Sequence, residues 1–149
     1  MISAKDYIKI ERYCCSKCED CGNALSDIEK KLGQNFPKIL LEVFPSRKVA
    51  SIRELFIQRA ASFCRNNEYV ITLCKMGCRD KSKKVRLESY AALAIAQDKE
   101  CLGFLYALTL YAEKDEHDYI DRAVRSIENE NHNIYFDPEE TGLVKVMIK

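Results

Sequence analysis

The sequence is poor in the residues that interrupt secondary structure. Its 149 residues include only 5 glycines and 3 prolines, whereas an all-β sandwich or barrel needs turn residues about every ten positions. It has no apolar run of about 18 residues, so no membrane-spanning helix is predicted. The first twelve residues mix charged with apolar side chains, which is not typical of a signal peptide. With 47% hydrophobic and 32% charged residues, the composition is that of a globular chain of one domain.

The residues that usually carry catalysis are also scarce. His117 and His132 are the only histidines, so a metal site built from several histidines is not expected. The sequence contains no glycine-rich phosphate loop and no nucleophile elbow. We therefore expect no enzymatic activity, no metal and no cofactor.

Cysteine, in contrast, is abundant. Of eight cysteines, Cys14, Cys15, Cys18 and Cys21 lie within eight residues, a spacing from which thiolates can bind zinc. On a helix, however, three of them continue an apolar stripe that reaches Leu32, and cysteine packs as a small hydrophobe. Because no export signal is apparent, we expect reduced thiols packed along a helix seam in a cytoplasmic protein. Zinc binding and redox chemistry are the alternatives.

Apolar residues recur at three- and four-residue steps along most of the chain, which predicts helices. The pattern from Ser26 to Glu29 is that of a capping box and predicts a helix start there. Apolar residues surround nearly the whole helix of 99–112, which predicts that this helix is buried between neighbours. The predicted helices cover approximately 8–21, 26–32, 35–44, 47–65, 69–78, 82–96, 99–112 and 115–127.

This pattern repeats every 33 to 34 residues. Arg86, in the dipeptide Val85-Arg86, has Arg53 as its counterpart 33 residues earlier, whereas the third unit has Ile120 at the corresponding place. Each unit follows a turn, and the first two contain a second helix. The combination of an aspartate turn, a Val-Arg helix with small residues and a leucine-rich helix resembles a HEAT-like repeat.

The resemblance implies an all-α fold, a short HEAT-like α-solenoid of stacked antiparallel helix pairs. The single domain 1–149 would comprise N-terminal helices (1–45), the repeats (46–130) and a tail (131–149). In HEAT-like repeats the arginine of the first helix ties neighbouring repeats together, which is the role expected for Arg86. The runs Ile134–Phe136 and Leu143–Ile148 predict a small C-terminal β-hairpin or an extended tail.

Charge is distributed unevenly between the two halves of the chain. Residues 1–86 carry a net charge of +8 and residues 87–149 a net charge of −7. Asp118 and Asp121 share a helix face, where they repel each other and a cationic partner would relieve the repulsion; a solvated face is the alternative. The candidate partner-binding residues are Glu113, Asp115, Glu116, Asp118, Asp121 and Glu128.

The basic half contains a cluster that could bind phosphates near a helix N-terminus. Its residues are Lys75, Arg79, Lys81, Lys83, Lys84 and Arg86. Alternatively, the lysines keep the turn soluble. Nucleic-acid binding is therefore a second hypothesis.

In size, acidic patch and truncated repeat, the chain is similar to the immunity proteins of bacterial toxin–immunity systems, including contact-dependent growth inhibition. That resemblance implies a protein that binds a cognate toxin domain, often a basic nuclease, and blocks it by occlusion and charge complementarity. A general protein-interaction scaffold or adaptor is the other protein-binding hypothesis. No membrane partner is expected.

Overall fold

The computed structural model describes residues 1–148, which form helices joined by short turns. No β-strand occurs within these residues, so the predicted all-α fold is confirmed. No helix in the described part of the chain has both the length and the apolar character needed to cross a membrane. The helices are α1 (Ala4–Tyr13), α2 (Cys18–Leu32), α3 (Phe36–Val43), α4 (Ala50–Ala61), α5 (Glu68–Gly77), α6 (Lys83–Ala96), α7 (Cys101–Thr109), α8 (His117–Glu128) and α9 (Asn133–Phe136).

The first two helices differ from their predicted bounds. The chain leaves the helix after Tyr13, and α2 then runs without a break from Cys18 to Leu32. Ser26 is therefore not a helix cap. Its Oγ donates a hydrogen bond to the main-chain oxygen of Gly22 at 2.9 Å, the bond that a serine makes when it lies inside a helix.

The helices share one core. Helices α2, α4, α6 and α8 contact one another in that order, α3 packs against α5, and α7 packs mainly against α8. The largest fully buried side chains are Tyr90, Phe36 and Phe56, which belong to α6, α3 and α4. The apolar core is therefore continuous from the N-terminal helices into the helices that follow.

Arg53 and Arg86 make the same set of bonds 33 residues apart. Each guanidinium binds the carboxylate of a later turn through Nε and Nη2, Arg53 to Asp80 (2.7 and 2.9 Å) and Arg86 to Glu116 (both 2.8 Å). Each Nη1 donates to the main-chain oxygens six and five residues earlier, at 2.9 to 3.1 Å. The first turn of each helix is thereby joined to the turn before it and to the turn of the next unit. Arg86 therefore has a structural role, whereas the HEAT-like repeat stays a prediction.

The end of the chain is not a β-hairpin. Residues Ile134–Phe136 lie in α9, and residues 143–148 have no regular secondary structure. The β-branched run was misleading because Ile134 and Tyr135 are buried against the helical core, where apolar character says nothing about backbone conformation. Asn133 holds the tail through its amide, which donates to the oxygen of Val144 and accepts from the N–H of Val146. Lys149, the last residue of the predicted tail, lies outside the described residues.

Candidate functional site

The segment Cys101–Ala112 contains α7 and has no charged residue, yet one side of it faces solvent. The exposed fraction is 51% for Tyr106, 78% for Leu110 and 86% for Tyr111, and Gly103 and Ala107 are exposed as well. The prediction that this helix is buried on nearly all sides is therefore wrong. Single exposed apolar residues are ordinary, but several on one helix face form a patch of the kind found at binding sites.

The helix that follows α8, α9, is only four residues long. It packs against α8, and the hydroxyl of its Tyr135 donates to the main-chain oxygen of Leu87 in α6 at 3.3 Å. Residues 129–148 therefore form no full-length helix that could cover α7.

One carboxylate of α8, that of Glu128, contacts this apolar patch. The Tyr106 hydroxyl donates a hydrogen bond to Glu128, which places the C-terminal end of α8 beside the middle of α7. Asp118 and Asp121 are exposed on α8; Asp118 pairs with Arg122 of the next helical turn at 2.6 Å. We call the surface formed by Tyr106, Leu110, Tyr111, Asp118, Asp121 and Glu128 the α7–α8 face.

Glu116, one of the predicted partner-binding residues, does not belong to any surface. Its side chain is fully buried, with both oxygens on Arg86, and it also accepts a hydrogen bond from the Tyr90 hydroxyl at 3.0 Å. These bonds lower the pKa of Glu116, the bond from Arg86 most strongly and against the effect of burial. Burial and the neighbouring Glu116 raise the pKa of Tyr90. Glu116 therefore belongs to the internal ion-pair network, which corrects the prediction.

The two remaining predicted residues, Glu113 and Asp115, lie in the turn before α8. Together with Glu116 they bring three carboxylates within 4.8 Å of one another. Cationic side chains already contact this group, because Lys83 pairs with Asp115 and Arg86 approaches Glu113 at 3.5 Å. The charges of this turn are therefore largely compensated within the protein.

The basic cluster is divided among several roles. Lys75 and Arg79 lie over the ring of Phe104, at 5.5 and 4.9 Å from its centroid, which is cation–π geometry. Arg86 and Lys83 bind carboxylates, as described above. Lys81 and Lys84 are exposed and form no ion pair with any residue of 1–148.

The cysteine-rich corner departs from the sequence prediction. Cys14 and Cys21 form a disulfide with Cα atoms 4.4 Å apart, whereas Cys15 and Cys18 are exposed thiols. Reduced thiols were expected, with Cys14, Cys18 and Cys21 packed along a seam, but Cys14 and Cys21 are oxidised and Cys18 is exposed. The disulfide also removes the argument for a cytoplasmic location, which depended on reduced cysteines.

The other four cysteines are buried in the helical core, and burial raises the pKa of each thiol, to about 11 for Cys101. Such thiols are poor nucleophiles because little thiolate forms. The histidines contact main-chain oxygens, His117 that of Ala112 at 3.2 Å and His132 that of Val146 at 2.7 Å. The four buried cysteines are Cys64, Cys74, Cys78 and Cys101.

Sequence reasoning identified the acidic part of the α7–α8 face but not its apolar part. The available signal was the segment of twelve uncharged residues, which the sequence alone does not distinguish from a buried helix. Comparison of the chain with protein-family models, with curated proteins and with solved structures gives no significant match. The chemistry of its surfaces is therefore the basis on which a function is inferred.

Proposed function

We propose that this chain is a protein-binding module that recognises its partner through the α7–α8 face. The observation that carries the proposal is the exposure of Tyr106 on α7 and of Leu110 and Tyr111 in the turn after it, within a segment of twelve uncharged residues. Tyrosine is enriched among residues that dominate binding energy at protein interfaces. A partner that covers this face would remove the exposed apolar surface from water, which is the main favourable term in protein association.

The border of the face indicates the charge of the partner. Asp118, Asp121 and Glu128 are exposed on α8, Glu128 accepts a hydrogen bond from Tyr106, and Asp121 forms no ion pair with the residues of 1–148. Carboxylates at the rim of an interface speed the encounter with a cationic protein and disfavour an acidic one. We infer a basic polypeptide as the partner.

We also infer a short HEAT-like solenoid as the scaffold of this face. The equal bonding of Arg53 and Arg86 supports two stacked units, α4–α5 and α6–α7. The third unit would be α8 without a second helix. In a solenoid the terminal unit has one neighbour only, so its truncation leaves the preceding second helix, α7, open to a partner.

In its most specific form, the proposal is an immunity-type inhibitor that covers a cationic toxin domain, such as that of a basic nuclease. The carboxylates of α8 would occupy the positions where a nuclease binds phosphates, and α7 would pack against the rim of the toxin's site. The proposal assigns binding rather than catalysis, since both histidines contact main-chain oxygens and the core thiols have raised pKa values.

The test is affinity capture from the native host with three baits. They are the wild type, a face variant carrying Leu110→Asp and Tyr111→Asp, and a control variant carrying Lys81→Glu and Lys84→Glu. All four substituted side chains are exposed, so each bait should show the circular dichroism and melting temperature of the wild type to within a few degrees. We expect the wild type and the control to retain one stoichiometric basic polypeptide that the face variant loses.

Charge reversal on α8 then refines the result with the purified partner. Asp118→Lys combined with Asp121→Lys should weaken binding about 100-fold or more, because like charges would be brought together in the interface. Equal binding by the face variant and the wild type would contradict the proposal. If only the variant carrying Lys81→Glu and Lys84→Glu lost binding, and nucleic acid were present in the eluate, the nucleic-acid hypothesis would be favoured instead.

A further inference from the structure

The corner between α1 and α2 places a disulfide beside free thiols. Cys14 follows the last residue of α1, and Cys21 lies in the first turn of α2. Between them, Cys15 and Cys18 are both exposed and unbonded. Within eight residues, the chain therefore holds an oxidised pair and two thiols that could replace a member of that pair. None of these residues belongs to the α7–α8 face.

Cys21 has a second possible partner in Cys18. The two residues are three apart at the start of one helix, where Cα atoms three positions apart are separated by about 5 Å. Disulfides join Cα atoms that are about 4.4 to 6.8 Å apart. A Cys18–Cys21 bond therefore fits within α2, and it would replace a bond between two helices by one inside a single helix.

Burial limits which thiol can attack the existing bond. Both cysteines of the disulfide have no exposed surface, so a thiol in solution has no direct path to either sulfur. Cys18 is exposed to solvent and lies one helical turn from Cys21. It combines access to the solution with proximity to the buried pair. Cys15 does not, because its Sγ donates to the main-chain oxygen of Glu11 at 2.6 Å and so points back along α1.

We propose that Cys18 attacks the Cys14–Cys21 disulfide, which makes this corner a thiol–disulfide exchange site. Cys18 loses its proton to solvent, and its thiolate forms a bond to the sulfur of Cys21. The Cys14–Cys21 bond breaks, and Cys14 leaves as a thiolate that takes up a proton. One disulfide and one thiol are present before and after, so the exchange needs no oxidant or reductant.

The exchange would change how α1 is attached. In the observed form the disulfide ties the end of α1 to α2, and the main-chain oxygen of Cys14 accepts a bond from Arg47 Nη1 at 3.0 Å. After exchange the covalent tie is lost, and Cys14 must leave room for the Cys18 side chain beside Cys21. Helix α1 would then be held by non-covalent contacts, such as the ion pair of Asp6 with Lys31.

Trypsin separates the two forms because it cleaves after Arg12, Lys17 and Lys30. Cys14 and Cys15 fall in peptide 13–17, whereas Cys18 and Cys21 fall in peptide 18–30. The full chain is incubated at pH 8, quenched with acid at intervals, alkylated and digested. We expect a cross-link between the two peptides at first and, with time, a growing fraction of peptide 18–30 closed by its own disulfide, with Cys14 alkylated.

Two variants make the test specific. Cys18→Ser should keep the inter-peptide cross-link throughout, whereas Cys15→Ser should exchange as the wild type does. Added glutathione should also reduce the Cys14–Cys21 bond at least about 10-fold more slowly in Cys18→Ser, since the buried sulfurs would have lost their neighbouring thiol. A wild type that never closes peptide 18–30, or that moves its cross-link to Cys15 or to a Cys14–Cys18 pair, would overturn the proposal. Equal rates in wild type and Cys18→Ser would do the same.

Discussion

Helices α5 and α7 occupy corresponding places in two consecutive helix pairs, yet they meet different surroundings. In α5, Gly77 lies so close to α6 that an added Cβ would come within 2.0 Å of the Ser89 hydroxyl. In α7, a Cβ added to Gly103 would meet no atom within 4 Å. Their preceding helices, α4 and α6, carry arginines with the same bonds. The two pairs are thus alike in their turns and unlike in how their second helices are covered.

The difference separates what builds the fold from what is left for a partner. Buried arginine–carboxylate pairs join each turn to the next, and both units need them. Helix α5 is covered by α3 and α6, whereas α7 packs mainly against α8. The segment 101–112 therefore keeps an exposed side, which is the basis of the proposed binding surface.

The largest effect is expected from breaking the part that the two units share. Arg86→Met leaves the fully buried Glu116 without its cation, and removal of one partner of a buried ion pair costs about 3 to 5 kcal/mol. Arg53→Met leaves Asp80, which is 7% exposed, in the same situation and should cost a similar amount. Urea unfolding measures both losses.

Lys83→Met is the matched control for these two variants. It removes the exposed pair with Asp115, and such pairs contribute at most about 1 kcal/mol. If only one of the two arginines proved important for stability, the two units would not be equivalent.

A smaller effect, of opposite sign in the two helices, is expected from adding one methyl group. Gly77→Ala would force Ser89 and Ile57 to move, and overpacking of this kind costs about 1 to 3 kcal/mol. Gly103→Ala meets open space and should stabilise the protein by about 0.5 kcal/mol, because alanine favours a helix more than glycine does. Melting temperatures that move in the same direction for both variants would contradict the difference in coverage.

Acid should weaken the shared network. Hydrogen bonds from Arg86 and Tyr90 lower the pKa of Glu116 below its ordinary value of 4.5, so the folded state binds its proton less readily than the unfolded state. The resulting stability is present in full above about pH 4.5 and is lost as the pH falls through the lowered pKa. Burial raises the pKa of Asp80, but the bonds from Arg53 and the Ser82 N–H outweigh burial and lower it.

The measurement is urea unfolding at pH 7, 5 and 3. Glu116→Gln should be less stable than the wild type at pH 7 and should lose less stability between pH 5 and pH 3, because its side chain does not titrate. Asp80→Asn should behave in the same way. A wild type and a Glu116→Gln variant with parallel pH profiles would show that this carboxylate does not control the acid response.

Local signals in the sequence predicted much of this fold. Apolar periodicity indicated the helices, and the resemblance to HEAT-like repeats implied a structural role for Arg86. Contacts between residues that are distant in the sequence could not be predicted from these local signals. Whether Glu116 is buried depends on the positions of Arg86 and Tyr90 of α6, which contact it. Whether Cys21 pairs with Cys14 depends on the interruption of the helix at residues 14–17, which the apolar periodicity did not show.

The same limit explains the miss on the candidate site. An apolar stripe predicts that a helix face avoids water, but the sequence of α7 does not state which element covers that face. The helix that follows α8, α9, has only four residues and packs against α8. The role of Asp118, Asp121 and Glu128 in binding stays a prediction, whereas Glu116 is buried because Arg86 compensates for its charge.

The smallest effect on stability is expected on the exposed side of α7. Leu110 is 78% exposed, so Leu110→Ala removes few contacts and should change the free energy of unfolding by no more than about 0.5 kcal/mol. Leu73 of α5 is fully buried, and Leu73→Ala should cost about 2 to 5 kcal/mol. The difference between the two losses in the free energy of unfolding therefore measures how well each leucine is covered by neighbouring helices. Leu110→Ala should weaken capture of the partner despite its near-native stability, and a variant that binds as tightly as the wild type would place the interface elsewhere than on α7.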